Sequence, residues 1–104
     1  MAYDSDNIFA RILRGEIPCH KVHEDEHTLA FMDVMPQADG HTLVIPKMPS
    51  RNVLDADPKA LGALMASVQT VANAVQQAFG AEGILVQQFK EPAAGQTVFH
   101  LHFH

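Results

Sequence analysis

Gly95-Gln96-Thr97-Val98-Phe99-His100-Leu101-His102-Phe103-His104 closes the chain, and from Phe99 onward apolar and imidazole side chains alternate. Successive residues of a strand point to opposite faces, so the pattern predicts a β-strand with His100, His102 and His104 on one face. Phe99, Leu101 and Phe103 go to the other. Neighbouring imidazoles would stand about 6 to 7 Å apart, twice the rise per strand residue. Histidine is the side chain that serves as base, acid or nucleophile near neutral pH. Three in this order mark the stretch as the place for chemistry.

Two plainer readings compete with a catalytic one. The first is the polar face of an exposed strand. The second is a metal site. Zinc needs nitrogen ligands at roughly 2.0 to 2.1 Å, whereas the first and third histidines of a straight strand lie about 13 Å apart. Two neighbours could share an ion only with a further ligand, such as His41 or Asp33. The catalytic reading is phosphoryl chemistry. Gly95-Gln96-Thr97 brings backbone N–H groups, an amide and a hydroxyl beside the first imidazole, which suit phosphate oxygens without a basic cluster. An unprotonated imidazole, with an ordinary pKa of about 6.5, is a competent nucleophile, and a protonated neighbour can donate to a leaving group.

Composition narrows the field. With 104 residues the chain is read as one domain, residues 1–104, and 47% apolar content is ordinary for a globular protein. No apolar run approaches the roughly 18 residues of a membrane span. The stretch Met1-Ala2-Tyr3-Asp4-Ser5-Asp6 lacks the basic start and apolar core of a signal peptide, which points to the cytoplasm and away from membranes. The single cysteine, Cys19, excludes an internal disulfide. A net charge of −5 argues against a nucleic-acid partner, which needs a basic face, but leaves room for a small phosphate ligand.

Working back from the histidines, Ile84–Phe89 reads as a strand, joined to the last one through the Glu91-Pro92-Ala93-Ala94-Gly95 turn. A long amphipathic helix precedes it, opening at Asp57 with Pro58 in the first position and stopping at Gly80. Leu61, Leu64, Met65, Val68, Val71, Ala72, Val75 and Phe79 recur at three- and four-residue steps along it. Strands are expected over 21–25, 28–34 and 41–47, with Asp39-Gly40 as a turn. A short helix over 8–13 follows Asp6 as N-cap and ends at Gly15. The expectation is an α+β domain: a five-stranded, mostly antiparallel sheet with one short N-terminal helix and one long amphipathic helix. One amphipathic helix cannot cover both faces of a sheet, which suggests a homodimer.

The closing stretch resembles the signature of the histidine-triad (HIT) family. Ile8-Phe9 and Arg14-Gly15-Glu16-Ile17-Pro18 resemble the N-terminal segment of its nucleotide-binding branch. Asp33-Val34-Met35-Pro36-Gln37, followed by His41-Thr42-Leu43-Val44-Ile45-Pro46-Lys47, resembles its centre. The resemblance spans nearly the whole chain. It implies a HIT-like fold, a homodimer with one continuous sheet, and an enzyme cleaving nucleoside 5′-phosphoramidates or acyl-adenylates at the α-phosphate. His102 would be the nucleophile, forming a nucleotidyl-histidine intermediate that water resolves to a purine mononucleotide. His100 would orient His102 and contact phosphate, His104 would sit near the leaving group, and His41 would support the triad. Gln96 and Thr97 match phosphate-binding positions. Asp33 matches the acid that receives the ribose hydroxyls, and Ile8, Phe9, Ile12, Phe31, Met32 and Val34 match the base pocket. No cofactor is implied, since histidines and backbone dipoles can supply the electrostatic stabilisation.

Three departures stand out. Some relatives bind zinc through a Cys-x-x-Cys at the first helix; Asn7 and Ala10 occupy those positions, so no structural zinc is expected. Lys90 stands where relatives place an asparagine that contacts substrate, and a lysine meets phosphate as a point charge. The sequence stops at His104, where relatives continue their last strand and add a tail, so a C-terminal segment is expected to be missing. The alternatives are a dinucleoside polyphosphate hydrolase, a nucleotide-binding protein with little turnover, and a metal-binding protein built on the histidine strand.

Overall fold

The computed structural model describes residues 3–104; Met1 and Ala2, which open the stretch lacking a signal-peptide pattern, lie outside the described residues. In chain order the elements are helix α1 (Ile8–Leu13), strands β1 (Lys21–Glu24), β2 (Thr28–Met32) and β3 (Thr42–Pro46), and helix α2 (Pro58–Phe79). Single 3-10 turns lie at Val53–Asp55 and Pro92–Ala94. The N-cap of α1 is Asn7 rather than Asp6: its side-chain oxygen accepts the Ala10 N–H at 2.8 Å. Six residues are too few to hold a helix by themselves, so α1 depends on burying Phe9 and Ala10.

The three strands form an antiparallel meander with β2 in the middle. Alternation divides their side chains between two apolar clusters. Leu29, Phe31, Leu43 and Ile45 meet Phe9 on the α1 side. Ala30 and Val44 meet Leu64, Val68, Val71 and Leu101 on the α2 side. The sheet therefore has a helix on each face, which the sequence periodicity did not show.

Helix α2 has Pro58 in its first turn and Gly80 beyond its last residue at φ 60, the left-handed conformation that glycine adopts without a Cβ clash. Its buried stripe is narrower than predicted. Leu64, Val68 and Val71 are buried, while Met65 and Phe79 are 45% and 53% exposed. Ser67 is buried beside the stripe, its hydroxyl 2.6 Å from Thr28 Oγ1 and 3.0 Å from Asp25 Oδ2, which ties the helix to the β1–β2 turn. Among the described residues, no helix is long and apolar enough to cross a membrane.

The predicted five-stranded sheet is corrected to three strands. Val44 and Phe103 exchange both backbone hydrogen bonds at 3.0 Å, but the pairing stops there. The next paired position on β3 is Pro46, which has no N–H to give. Its carbonyl is engaged by the His100 ring, and the Leu101 N–H goes to the Ser50 carbonyl at 2.8 Å. The segment expected as the fourth strand, Ile84–Phe89, meets the histidine segment through one reciprocal pair, Gln87 with His104. The histidine segment thus lies between β3 and Ile84–Phe89, held by single pairs rather than ladders.

Candidate active site

The β2–β3 register continues one residue past Met32 and Thr42, so the Asp33 N–H donates to the His41 carbonyl at 3.0 Å. That pair lies on the α1 side, in line with Phe31 and Leu43. On the other flank of β3, extending the Val44–Phe103 pairing puts His104 beside Leu43 and His102 beside Ile45. Asp33, His41, His102 and His104 thereby converge from three segments onto one face. Phe9 of α1 floors the site, its ring edge-on to His102 at 4.9 Å and to Phe31 at 5.4 Å.

The hydrogen bonds fix the tautomers. A carbonyl oxygen only accepts, so His102 Nδ1, 2.7 Å from the His100 carbonyl, must carry its proton. Its Nε2 is left with a lone pair. Burial pushes the His102 pKa down, since desolvation disfavours the imidazolium and the His100 carbonyl offsets this only in part. The ring is therefore a neutral base with one free nitrogen. His100 differs. It is buried, its Nε2 donates to the Pro46 carbonyl at 2.8 Å, and its Nδ1 lies 2.5 Å from the Tyr3 hydroxyl. Both ring nitrogens are occupied, so the orienting contact to His102 runs through the His100 main chain, and the ring has no nitrogen to offer a phosphate.

His41 receives the Gln37 backbone N–H on Nδ1 at 3.1 Å, so its own proton is on Nε2. That nitrogen is 3.0 Å from His104 Nδ1 and 3.4 Å from Asp33 Oδ2. His104 accepts on Nδ1 and so presents an N–H at Nε2. Its ring packs 4.9 Å from His102 and 5.4 Å from Phe89. Burial lowers the His104 pKa, with the His102 and His41 rings adding to the effect and Asp33 opposing it. The ligand atoms of Asp33, His41 and His104 lie within 4.8 Å of one another, a spacing that a metal ion could span. The donor set does not fit one. A metal on His41 Nε2 would require the proton on Nδ1, where it would meet the Gln37 N–H head-on. The three groups instead form a hydrogen-bonded relay.

The turn before the histidines, where the sequence places Glu91, is held by a polar network whose buried members Arg51 and Asn52 carry no sequence signal. Arg51 donates twice to the Glu91 carboxylate, at 2.7 and 2.9 Å, and Asn52 Nδ2 donates to it at 2.7 Å. The Arg51 guanidinium holds the Glu91 carboxyl below its usual pKa and lies 4.2 Å over the Phe99 ring. Glu91 adopts φ 74 and ψ 157, a conformation rare for any residue with a Cβ, and the network stabilises it. Gln96 belongs to this network. Its amide donates to the Arg51 and Val98 carbonyls and accepts from Asn52 and the Glu91 N–H. Both polar atoms of the Gln96 side chain are satisfied by protein, so it clasps the turn rather than facing a phosphate, while Thr97 is exposed beside it.

The remaining predicted site residues divide by burial. Phe9 and Phe31 are core residues beneath the histidines. Ile12 and Asp33 are half-buried around them, and Ile8 is exposed on α1. Met32, half-buried, turns to the α2 face of β2, its sulfur 3.7 Å from Thr42 Oγ1, which takes it out of the expected base pocket. Val34 is 82% exposed. Lys90 is exposed, its ammonium 3.3 Å from the Gln88 carbonyl. A cleft of about 480 Å³ on the α2 side reaches His41 and His104 but none of the expected base-pocket residues. Tyr3, found by no motif, is the residue that the structure adds to the site.

The HIT domain family model matches residues 14–104. An uncharacterised HIT-like protein of Synechococcus elongatus is 46% identical over 102 residues, covering 95% of this chain and 87% of that protein. The adenylylsulfatase HINT3 of Arabidopsis thaliana is 35% identical over 100 residues, which is 96% of this chain and 51% of the relative, so the chain spans about half its length. The crystal structure of a HIT-like protein involved in cell-cycle regulation from Bartonella henselae superposes with a TM-score of 0.98 at 59% identity, covering 99% of this chain and 80% of that one. Likeness of this degree, with the family model matched through the last histidine, makes the chain a member of the HIT domain family.

Proposed function

We propose that the protein is a nucleotide-binding hydrolase that cleaves nucleoside 5′-phosphoramidates or acyl-adenylates at the α-phosphate. The observation that carries this reading is the free Nε2 of His102, a neutral imidazole aimed by the Nδ1–H bond to the His100 carbonyl. That nitrogen attacks phosphorus, a P–N bond to His102 forms, and the bond to the leaving group breaks with its electron pair. A carboxylate leaves as it is, and the proton of the water that then attacks phosphorus passes to solvent. An amine takes the proton of His104 Nε2, and the water that next attacks phosphorus returns it while freeing His102 and the nucleoside monophosphate. His41 and Asp33 hold His104 in the donating tautomer. Asp33 faces the ribose hydroxyls, Ile8 and Ile12 border the base, and Thr97 meets the phosphate. The Arabidopsis relative is named for acting on adenylylsulfate, also a nucleotidyl conjugate, which supports the substrate class. Ile84, Leu85, Val86 and Phe79 are exposed together beside α2, which supports a homodimer through that face; sedimentation at micromolar concentration checks it.

The experiment is release of AMP from adenosine 5′-phosphoramidate by wild type and His102→Asn. Wild type should turn over, and the variant should not, while keeping AMP affinity within about tenfold because the pocket is intact. Turnover by His102→Asn would remove the nucleophile assignment. Lys90, where the resemblance implies an asparagine, favours a second reading, a nucleotide-binding protein with little turnover. In that case wild type binds AMP and releases none.

A further inference from the structure

One contact outside the predicted site joins residues far apart in the sequence. The Tyr3 hydroxyl lies 2.5 Å from His100 Nδ1, with the rings edge-to-face at 5.7 Å between centroids. The direction of the bond follows from its surroundings. His100 Nε2 must donate to the Pro46 carbonyl, so Nδ1 of the neutral ring is an acceptor and Tyr3 must donate. Burial favours both neutral partners, pushing the phenol pKa up and the imidazole pKa down. His100 is 1% exposed, so its ring is held by protein groups rather than by solvent.

We infer that Tyr3 is a positioning residue for the nucleophile: its hydroxyl fixes the His100 ring, and the His100 carbonyl then sets the tautomer and direction of His102. This rests on the reading of His102 as nucleophile. The ring of His100 sits between Tyr3 and Pro46 like a part held at both ends, and the main chain of the same residue is what His102 leans on. A histidine in the triad thereby acts through its backbone, and a tyrosine 97 positions away controls where that backbone lies.

Tyr3→Phe keeps the ring packing and removes only the hydroxyl. On adenosine 5′-phosphoramidate its kcat should fall about five- to tenfold with KM within about twofold, the scale of one lost hydrogen bond expressed in the rate. Histidine titrations followed by ¹⁵N NMR supply a readout that packing alone would not move. Loss of a donor to Nδ1 removes a preference for the neutral ring, so the His100 pKa should rise in Tyr3→Phe. Unchanged kcat, or a His100 titration identical to wild type, overturns the inference. If wild type shows no turnover, the hydrolase reading fails separately, and the NMR titration by itself decides whether Tyr3 holds His100.

Discussion

His102 is set apart from its neighbours by what remains unused on its ring. His100 has both nitrogens engaged, His104 and His41 share a proton, and His102 keeps one lone pair. Its pKa is lowered mainly by burial, and the neutral form is the active one. The acid limb of kcat/KM should therefore lie below about pH 6.5, the ordinary histidine value. A pH–rate profile with its acid limb at or above that value would contradict the neutral nucleophile. Asp33 allows a second test. Its carboxylate stands at the mouth of the histidine cluster, 3.4 Å from His41. Asp33→Ala should weaken AMP about tenfold or more, the scale of a lost hydrogen bond to a charged group, and leave inorganic phosphate nearly unaffected. Equal loss for both, by calorimetry, would move Asp33 out of the ribose site. Residue identity in this cluster was legible from the motif; protonation was not, because each proton is placed by a partner distant in sequence.

The element that positions His41 is the turn entering β3. Gly40 has φ 80, and a Cβ there would approach the Phe79 ring to 2.8 Å. Gly15 has nearly the same φ, 79, with nothing within 4 Å of its missing Cβ. The pair separates backbone strain from crowding. Gly15→Ala should cost about 1 kcal/mol, the left-handed penalty alone. Gly40→Ala should cost more, since Phe79 must also move, and the turn carrying His41 shifts with it. Thermal unfolding should show the larger loss for Gly40→Ala, and only that variant should lose turnover. Helix α2 and strands β2 and β3 were legible from periodicity, Pro58 and Gly80, because those signals are local. The fourth and fifth strands were not. Ile84–Phe89 and the histidine segment have strand-like residues, yet they share only the Gln87–His104 pair, and Pro46 and Ser50 redirect the hydrogen bonds that a ladder from β3 to the histidine segment needs.

For the molecule as a whole, the buried imidazoles make stability depend on pH. His100, His102 and His104 all have pKa values below the ordinary one, chiefly through desolvation. The unfolded chain therefore binds protons first as pH falls, and the folded state loses stability. The contribution is complete above about pH 6.5, the unfolded value, and declines as pH drops through the folded ones. Glu24, lowered to about 2 by Lys21 and Lys47, and Asp25, held low first by the His27 backbone N–H, act only below about pH 4. Tm should thus fall between pH 6.5 and 5, before the carboxylates titrate. A flat Tm over that interval would show that these histidines are not buried neutral.

The sequence by itself determined the α+β class, the long helix from its cap proline to its closing glycine, and the family, through a histidine alternation tied to flanking motifs. Those features depend on residues close together in the chain. Only the tertiary structure decided which imidazole is free. His100 is held by Tyr3 and by Pro46, 97 and 54 residues away, and His104 by His41, 63 residues away. It also decided that Gln96 is a clasp and Val34 a surface residue. An imidazole and an amide each both donate and accept, so their roles follow from what surrounds them rather than from their place in a motif.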